Sequence, residues 1–109
     1  YTQKYISLIR ANGTVKDMNT LDYKELERVL KALGNRRRLA VLAFLKQKRE
    51  ASVGSIATEL KLSLKATSKH LALLAAAGIL DKEQRSTNVF FWISKSAPSS
   101  SRHTCGLLP

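Results

Sequence analysis

The spacing of apolar residues along this chain changes once, at Gly78, and that change limits the folds the chain can form. Before Gly78, apolar side chains recur every three or four residues, which places them on one face of a helix. After it, Val89, Phe91 and Ile93 recur at a period of two, which is typical of a strand. A chain of 109 residues has the typical length of one domain. We therefore expect one mainly helical domain followed by a β-hairpin.

Each of four predicted helices before Gly78 follows a residue that can cap its first turn. Asp22 precedes the first helix, in which four leucine and valine side chains share a face: Leu26, Val29, Leu30 and Leu33. The other three follow Asn35, Ser52 and Ser63 and are predicted at 36–48, 53–60 and 64–77. The last of them is expected to bury one face, formed by Thr67, Leu71, Leu74 and Ala75. A weakly amphipathic segment at 2–11 is a candidate fifth helix. The helical core is thus expected to contain four to five helices.

The hairpin is predicted to form from Ile79–Glu83 and Val89–Ile93, with the polar residues 84–88 between them. Arg85 then lies near its tip. The Ser- and Pro-rich end of the chain predicts a flexible tail without a helix.

These patterns divide the chain into three parts. They are an N-terminal helix or loop extension at 1–20, a folded domain at 21–94 and the tail at 95–109.

Basic residues are concentrated in the middle third of the chain. The 19 Lys and Arg residues outnumber the 8 Asp and Glu, for a net charge of +11. Residues 36–69 hold nine of the basic and two of the acidic residues, so seven of the eleven net charges lie there. Such a cluster is the expected footprint of a protein that binds a polyanion such as nucleic acid. A solvated basic face is the alternative.

Composition excludes several classes of protein. One cysteine cannot form an internal disulfide, and one cysteine with two histidines cannot build the usual structural zinc site. No apolar run approaches the ~18–20 residues of a membrane span, and the first residues lack the apolar core of a secretory signal. There is no phosphate-binding loop, catalytic Cys/His pair or carboxylate cluster. We therefore expect a cytoplasmic protein that is not an enzyme and has no cofactor, metal or membrane partner.

The order of the elements is that of a winged helix-turn-helix. The short helix at 53–60, a tight turn and the longer helix at 64–77 form the helix-turn-helix, and the hairpin forms the wing. The second helix of this motif fits the major groove of DNA, where its N-terminal half reaches base edges. A basic hairpin tip can enter the flanking minor groove.

Several stretches, taken in order, carry a family resemblance. They are Leu33-Gly34-Asn35 with Arg38-Leu39 and Leu42, SVGSIATEL at 52–60, LSLKATSKHLALL at 62–74, Ala77-Gly78-Ile79-Leu80, and Val89, Phe91 and Ile93. In this order they resemble the ArsR/SmtB type of prokaryotic winged-helix repressor. The resemblance covers about residues 22–94. It implies a homodimer that binds double-stranded DNA at a dyad-symmetric operator and often releases it when an inducer binds.

The resemblance also implies which residues face DNA. Ser63 would cap the recognition helix, and the residues implied on its DNA side are Lys65, Ser68, Lys69 and His70. Arg85 would reach the minor groove from the wing. Alternatives stay open for two of these residues: His70 as a packing histidine, and Arg85 as a solvated side chain.

The family's sensor sites are not expected here. Some metal-sensing relatives use cysteines at the start of the short helix, and the corresponding residues 50–54 include no cysteine. Others use Asp/His pairs on a C-terminal helix, and the sequence of the tail does not predict such a helix. We expect no metal site, including at His103 and Cys105, and the inducer stays unknown. Without that helix, residues 2–11 and the helix after Asp22 would have to form more of the dimer interface.

Two other functions compete with a sequence-specific regulator. The first is a winged-helix module that docks proteins without reading DNA, which exposed Phe90 and Trp92 would favour. The second is a non-specific DNA-binding protein.

Overall fold

The computed structural model describes residues 22–109. Over that range the chain forms five helices and one three-stranded antiparallel sheet. The helices are α1 (Tyr23–Leu33), α2 (Arg36–Lys48), α3 (Val53–Leu60), α4 (Leu64–Ala76) and α5 (Ser99–Leu107). The strands are β1 (Ala51–Ser52), β2 (Leu80–Arg85) and β3 (Asn88–Ile93). The predicted mainly helical, winged architecture is confirmed. The N-terminal extension, with its candidate helix at 2–11, lies outside the described residues.

The predicted caps hold the first turns of the first four helices. The Asp22 carboxylate accepts from the main-chain N–H groups of Lys24 and Glu25 at 3.0 and 3.2 Å. Asn35 does the same for the start of α2, and single serine hydroxyls, Ser52 and Ser63, cap α3 and α4. The first N–H groups of a helix have no partner within it, so each cap satisfies donors that the fold would otherwise leave unpaired.

A single core joins the helices to the sheet. Its most deeply buried apolar side chains come from all of the first four helices and the start of the wing: Val29, Val41, Leu42, Leu45, Ile56, Leu71, Leu74 and Ile79. Leu30 departs from the prediction, because its side chain is 54% exposed while Ala32 is buried. The buried face of α1 is centred on Val29, Ala32 and Leu33, which turns Leu30 towards the surface.

The wing has a shorter turn and one more strand than the sequence predicts. Its strands pair from Leu80 opposite Ile93 to Arg85 opposite Asn88, so only Ser86 and Thr87 form the turn. Ser86 adopts a positive φ of 59°, which the first residue of a tight hairpin turn can require. The third strand, β1, pairs Ala51 with Phe91 on the other edge of β3. A two-residue strand is too short to show a period, so no pattern predicts it.

The prediction of a flexible, helix-free tail at 95–109 is wrong. Ser99–Leu107 is a helix that packs on α1 and α2, with Ser101 and Cys105 buried. The Ser101 hydroxyl donates to the carbonyl oxygen of Pro98 at 2.7 Å, which satisfies the buried polar group. Serine and proline are poor helix formers in isolation, but tertiary packing overrides such weak preferences. In residues 22–109, no helix has the length and apolar character needed to cross a bilayer.

Arg49 ends α2 in an unfavourable backbone conformation, with φ 76° and ψ −52°. This is the region of the strained γ-turn, which residues with a Cβ rarely adopt. Its N–H still bonds the carbonyl oxygen of Leu45 at 2.8 Å, which holds the chain in the turn that leads to β1.

Replacing Arg49 by Gly is therefore expected to stabilise the chain relative to Arg49→Ala. Both variants lose the same side-chain charge, but only glycine relieves the backbone strain, which we expect to contribute about 1–2 kcal/mol. Urea denaturation measures the difference in the free energy of unfolding. Equal stability of the two variants would contradict the strain at this position.

Candidate nucleic-acid interface

The helix-turn-helix is formed by α3, the connection at 61–63, and α4. Lys61 ends α3 in the left-handed conformation, with φ 55°, and its N–H reaches back to α3. The N–H of Leu62 donates to the carbonyl oxygen of Ala57 at 3.0 Å, which closes the turn. Leu60 and Val53 pack against the core from α3. These main-chain hydrogen bonds fix the connection, and with it the orientation of α4 relative to α3.

The two faces of α4 differ sharply in burial. Thr67, Leu71 and Leu74 are buried on one face, as the sequence predicts. Lys65, Ser68 and Lys69 are exposed on the opposite face. Their spacing of three and four residues places them side by side on the helix surface. Within residues 22–109 neither lysine has an ion-pair partner, so both charges are available to an external anion.

Ser63 and Thr67 organise the first turn of α4. The Ser63 hydroxyl accepts from the N–H of Ala66 at 3.0 Å. The Thr67 hydroxyl, which is fully buried, donates to the Ser63 carbonyl oxygen at 2.8 Å. This bond satisfies a polar group inside the core without a partner from another helix. Ser63 is thus engaged as a cap, and the exposed residue beside it is Leu64, which is 61% exposed.

His70 lies at the edge of the exposed face and has a partner within the chain. It is partly buried, and its Nδ1 lies 3.4 Å from Nη1 of Arg38. Burial lowers the pKa of the His70 imidazole, and the positive charges of Arg38 and then Arg37 lower it further. A neutral imidazole facing a guanidinium fits the packing alternative.

Arg85 does not project freely from the wing. Its Nη1 lies 2.7 Å from Oε2 of Glu50, and its Nε donates to Oε1 of Glu83 at 2.6 Å. The guanidinium also lies over the Phe90 ring, 4.8 Å from the centroid. Two carboxylates therefore compete with any phosphate for this cation. Glu83 is two residues away on the same strand, a spacing that the sequence shows, whereas no local pattern points to Glu50.

Lys46, like Glu50, has a role that the sequence does not reveal. Its Nζ donates to the carbonyl oxygens of Cys105 and Leu108, at 2.9 and 2.7 Å, at the end of α5. Cys105 is buried there, and burial raises the pKa of its thiol. His103 is exposed and lies two residues before Cys105 on α5, a spacing at which helical side chains do not face each other.

The His70 environment leads to a measurable titration. We expect a folded-state pKa below the ordinary value of about 6.5. The unfolded chain then binds this proton more readily, so the stability from neutral His70 is present above about pH 6.5 and is lost as pH falls. Arg37→Gln should raise the pKa in an NMR titration, because it removes one neighbouring positive charge. Lys48→Gln, the same charge change at the far end of α2, should leave it unchanged. Equal effects of the two variants, or a pKa at or above the ordinary value, would contradict this environment.

Comparison with known proteins places this geometry among transcription regulators. A family model described as a helix-turn-helix domain matches residues 33–83. The transcriptional activator HlyU of Vibrio cholerae is 38% identical over 68 residues, which are 62% of this chain and 62% of that protein. The match therefore spans less than two thirds of that relative's length.

Solved structures extend the similarity over more of the fold. HlyU from Vibrio cholerae is 31% identical, with a TM-score of 0.66, over 77% of this chain and 87% of that one. A homodimeric winged helix-turn-helix DNA-binding domain of a possible ArsR-family regulator from Mycobacterium bovis is also 31% identical. Its TM-score is 0.67, over 77% of this chain and 74% of that one. The chain belongs to the ArsR family of winged helix-turn-helix transcriptional regulators.

Proposed function

We propose that this chain binds double-stranded DNA in a sequence-specific manner and acts as a homodimeric repressor on a dyad-symmetric operator. The observation that carries the proposal is the exposed face of α4, where Lys65, Ser68 and Lys69 lie together without intramolecular ion pairs in the described part of the chain. The helix is anchored by its opposite face, so these side chains can meet DNA without loss of the core.

The residues of this face suit the major groove. Lysine donates to the O6 and N7 acceptors of guanine, and a serine hydroxyl can bond a base or a phosphate. Leu64 offers an apolar contact to the methyl group of thymine. Ser63, which caps the helix, lies where the helix N-terminus favours a phosphate.

His70 and Arg85 play smaller parts in this proposal, because both already have partners. His70 faces Arg38, and we assign it to positioning the helix. Arg85 would reach a minor groove only after leaving Glu50 and Glu83. The wing's contribution to DNA affinity is therefore expected to be smaller than that of α4.

The dimer is proposed to form through α1. Tyr23, Leu26 and Leu30 lie on one side of α1, and Tyr23 and Leu30 are 41% and 54% exposed. Leu107 of α5, the helix that packs on α1, is 75% exposed. A surface of this kind is typical of an interface between subunits. The Mycobacterium bovis neighbour is described as homodimeric, which supports the same assembly here.

The protein-docking alternative has less support. Phe90 and Trp92 are partly buried, and Phe90 lies beneath the Arg85 guanidinium. The concentration of positive charge over 36–69 also suits a polyanion better than an apolar protein surface.

The relatives are named as transcription regulators, which agrees with a role that is not enzymatic.

Selection from a random duplex library should therefore enrich an inverted repeat with half-sites about one helical turn apart. On that operator, Lys65→Ala and Lys69→Ala should each weaken specific binding by about 1–3 kcal/mol if the lysine reads a base. Lys24→Ala is the control, since it removes the same charge beside the other end of α4, near Gly78. Enrichment of no sequence, or equal losses in all three variants, would overturn the proposal.

A charge within the exposed apolar face of α1 should separate the subunits. We expect Leu30→Asp to be monomeric in sedimentation at concentrations where the unaltered chain is dimeric, because an unpaired carboxylate in an apolar interface is costly. Lys24→Asp, on another face of the same helix, should stay dimeric. A dimeric Leu30→Asp variant would place the interface elsewhere.

A further inference from the structure

A cleft of about 520 Å³ lies between the end of α2 and the wing. Its apolar wall is formed by Leu45, Trp92 and Ile93. Leu45 is buried in the core, which fixes this part of the apolar wall, while Trp92 and Ile93 are partly exposed. The volume lies within the ~300–1,000 Å³ that small-molecule sites occupy in proteins.

The rim of this cleft is strongly cationic. Lys46, Arg49, Arg85 and Lys95 border it, and Glu50 is the one acidic residue among its lining. Glu50 is paired with Arg85, so its charge is already matched. Among the described residues, Arg49 and Lys95 have no ion-pair partner. An apolar wall beneath unpaired cations suits a ligand with a flat apolar body and one anionic group.

Two of these cations connect the cleft to neighbouring parts of the fold. Lys46 holds the end of α5 through the carbonyl oxygens of Cys105 and Leu108. Arg85 holds the wing to Glu50. A carboxylate in the cleft is a stronger acceptor for Lys46 than a neutral carbonyl, and it competes with Glu50 for Arg85. Occupation of the cleft would therefore loosen α5, the wing or both.

We propose that this cleft binds an organic carboxylate with an aromatic or aliphatic body, and that its occupation lowers operator affinity. The second part of the proposal rests on the proposed DNA-binding function, whereas the first does not. The site takes its specificity from the combination of Trp92 with Arg49 and Lys95.

Trp92 makes the binding directly observable, because it is the chain's only tryptophan. Its indole N–H therefore gives the one indole cross-peak in a two-dimensional NMR spectrum. Titration with 4-phenylbutyrate should move this peak saturably. The matched neutral alcohol, 4-phenylbutan-1-ol, should bind at least about tenfold more weakly, since it lacks the charge that the rim recognises. Equal affinity for the two, or an indole peak that phenylbutyrate does not move, would overturn the site.

Variants separate this cleft from general attraction of anions to a basic protein. Arg49→Gln combined with Lys95→Gln should weaken phenylbutyrate binding at least about fivefold. The control pair, Arg36→Gln with Lys24→Gln, removes the same charge away from the cleft and should not. Equal weakening by both pairs would show non-specific attraction and overturn the proposal.

The regulatory part is tested on the selected operator. Saturating phenylbutyrate should weaken operator binding by the unaltered chain, while the alcohol at the same concentration should not. Unchanged operator affinity with a shifted Trp92 peak would overturn regulation but leave the site. Failure to bind any DNA would overturn the proposed function, and the NMR titration would still decide the ligand site.

Discussion

The guanidinium of Arg38 is the interaction on which the arrangement of the helices depends. It lies in the first turn of α2, and it donates to the carbonyl oxygens of Ala32 and Lys31 at 2.6 and 3.1 Å. The last carbonyls of a helix lack partners within it and carry the negative end of its dipole, so a cation is favoured there. The same group faces His70 of α4. One side chain thus contacts the end of α1 and His70 of α4 from the first turn of α2, so it relates all three helices.

Features with local causes could be predicted from the sequence. A cap depends on residues two or three positions away, as at Asp22 and Ser63, and the buried face of a helix depends on residues within two turns. The spacing of Thr67, Leu71 and Leu74 places these residues on one face of a helix, and the exposure of Lys65 and Lys69 follows from it. The caps, the helix bounds and the exposed face of α4 therefore agree with the structure.

Features that depend on distant contacts could not be predicted in this way. The helix α5 has poor intrinsic propensity and forms where it packs on α1 and α2, with Ser101 and Cys105 buried. Arg85 appears free in the sequence because one of its two partners, Glu50, is brought to it only by the sheet. The exposure of Leu30 likewise depends on how α1 is rotated against its neighbours, which periodicity alone defines only to within about one helical step of 100°.

The anchoring of α5 by Lys46 has a consequence for how this protein would evolve. The lysine contacts main-chain oxygens, which every amino acid supplies, and not the side chains of residues 105 and 108. Those side chains can therefore change without breaking the anchor, and no compensating change is demanded at position 46. Coevolution between paired positions would carry no trace of this contact, although it holds two helices together.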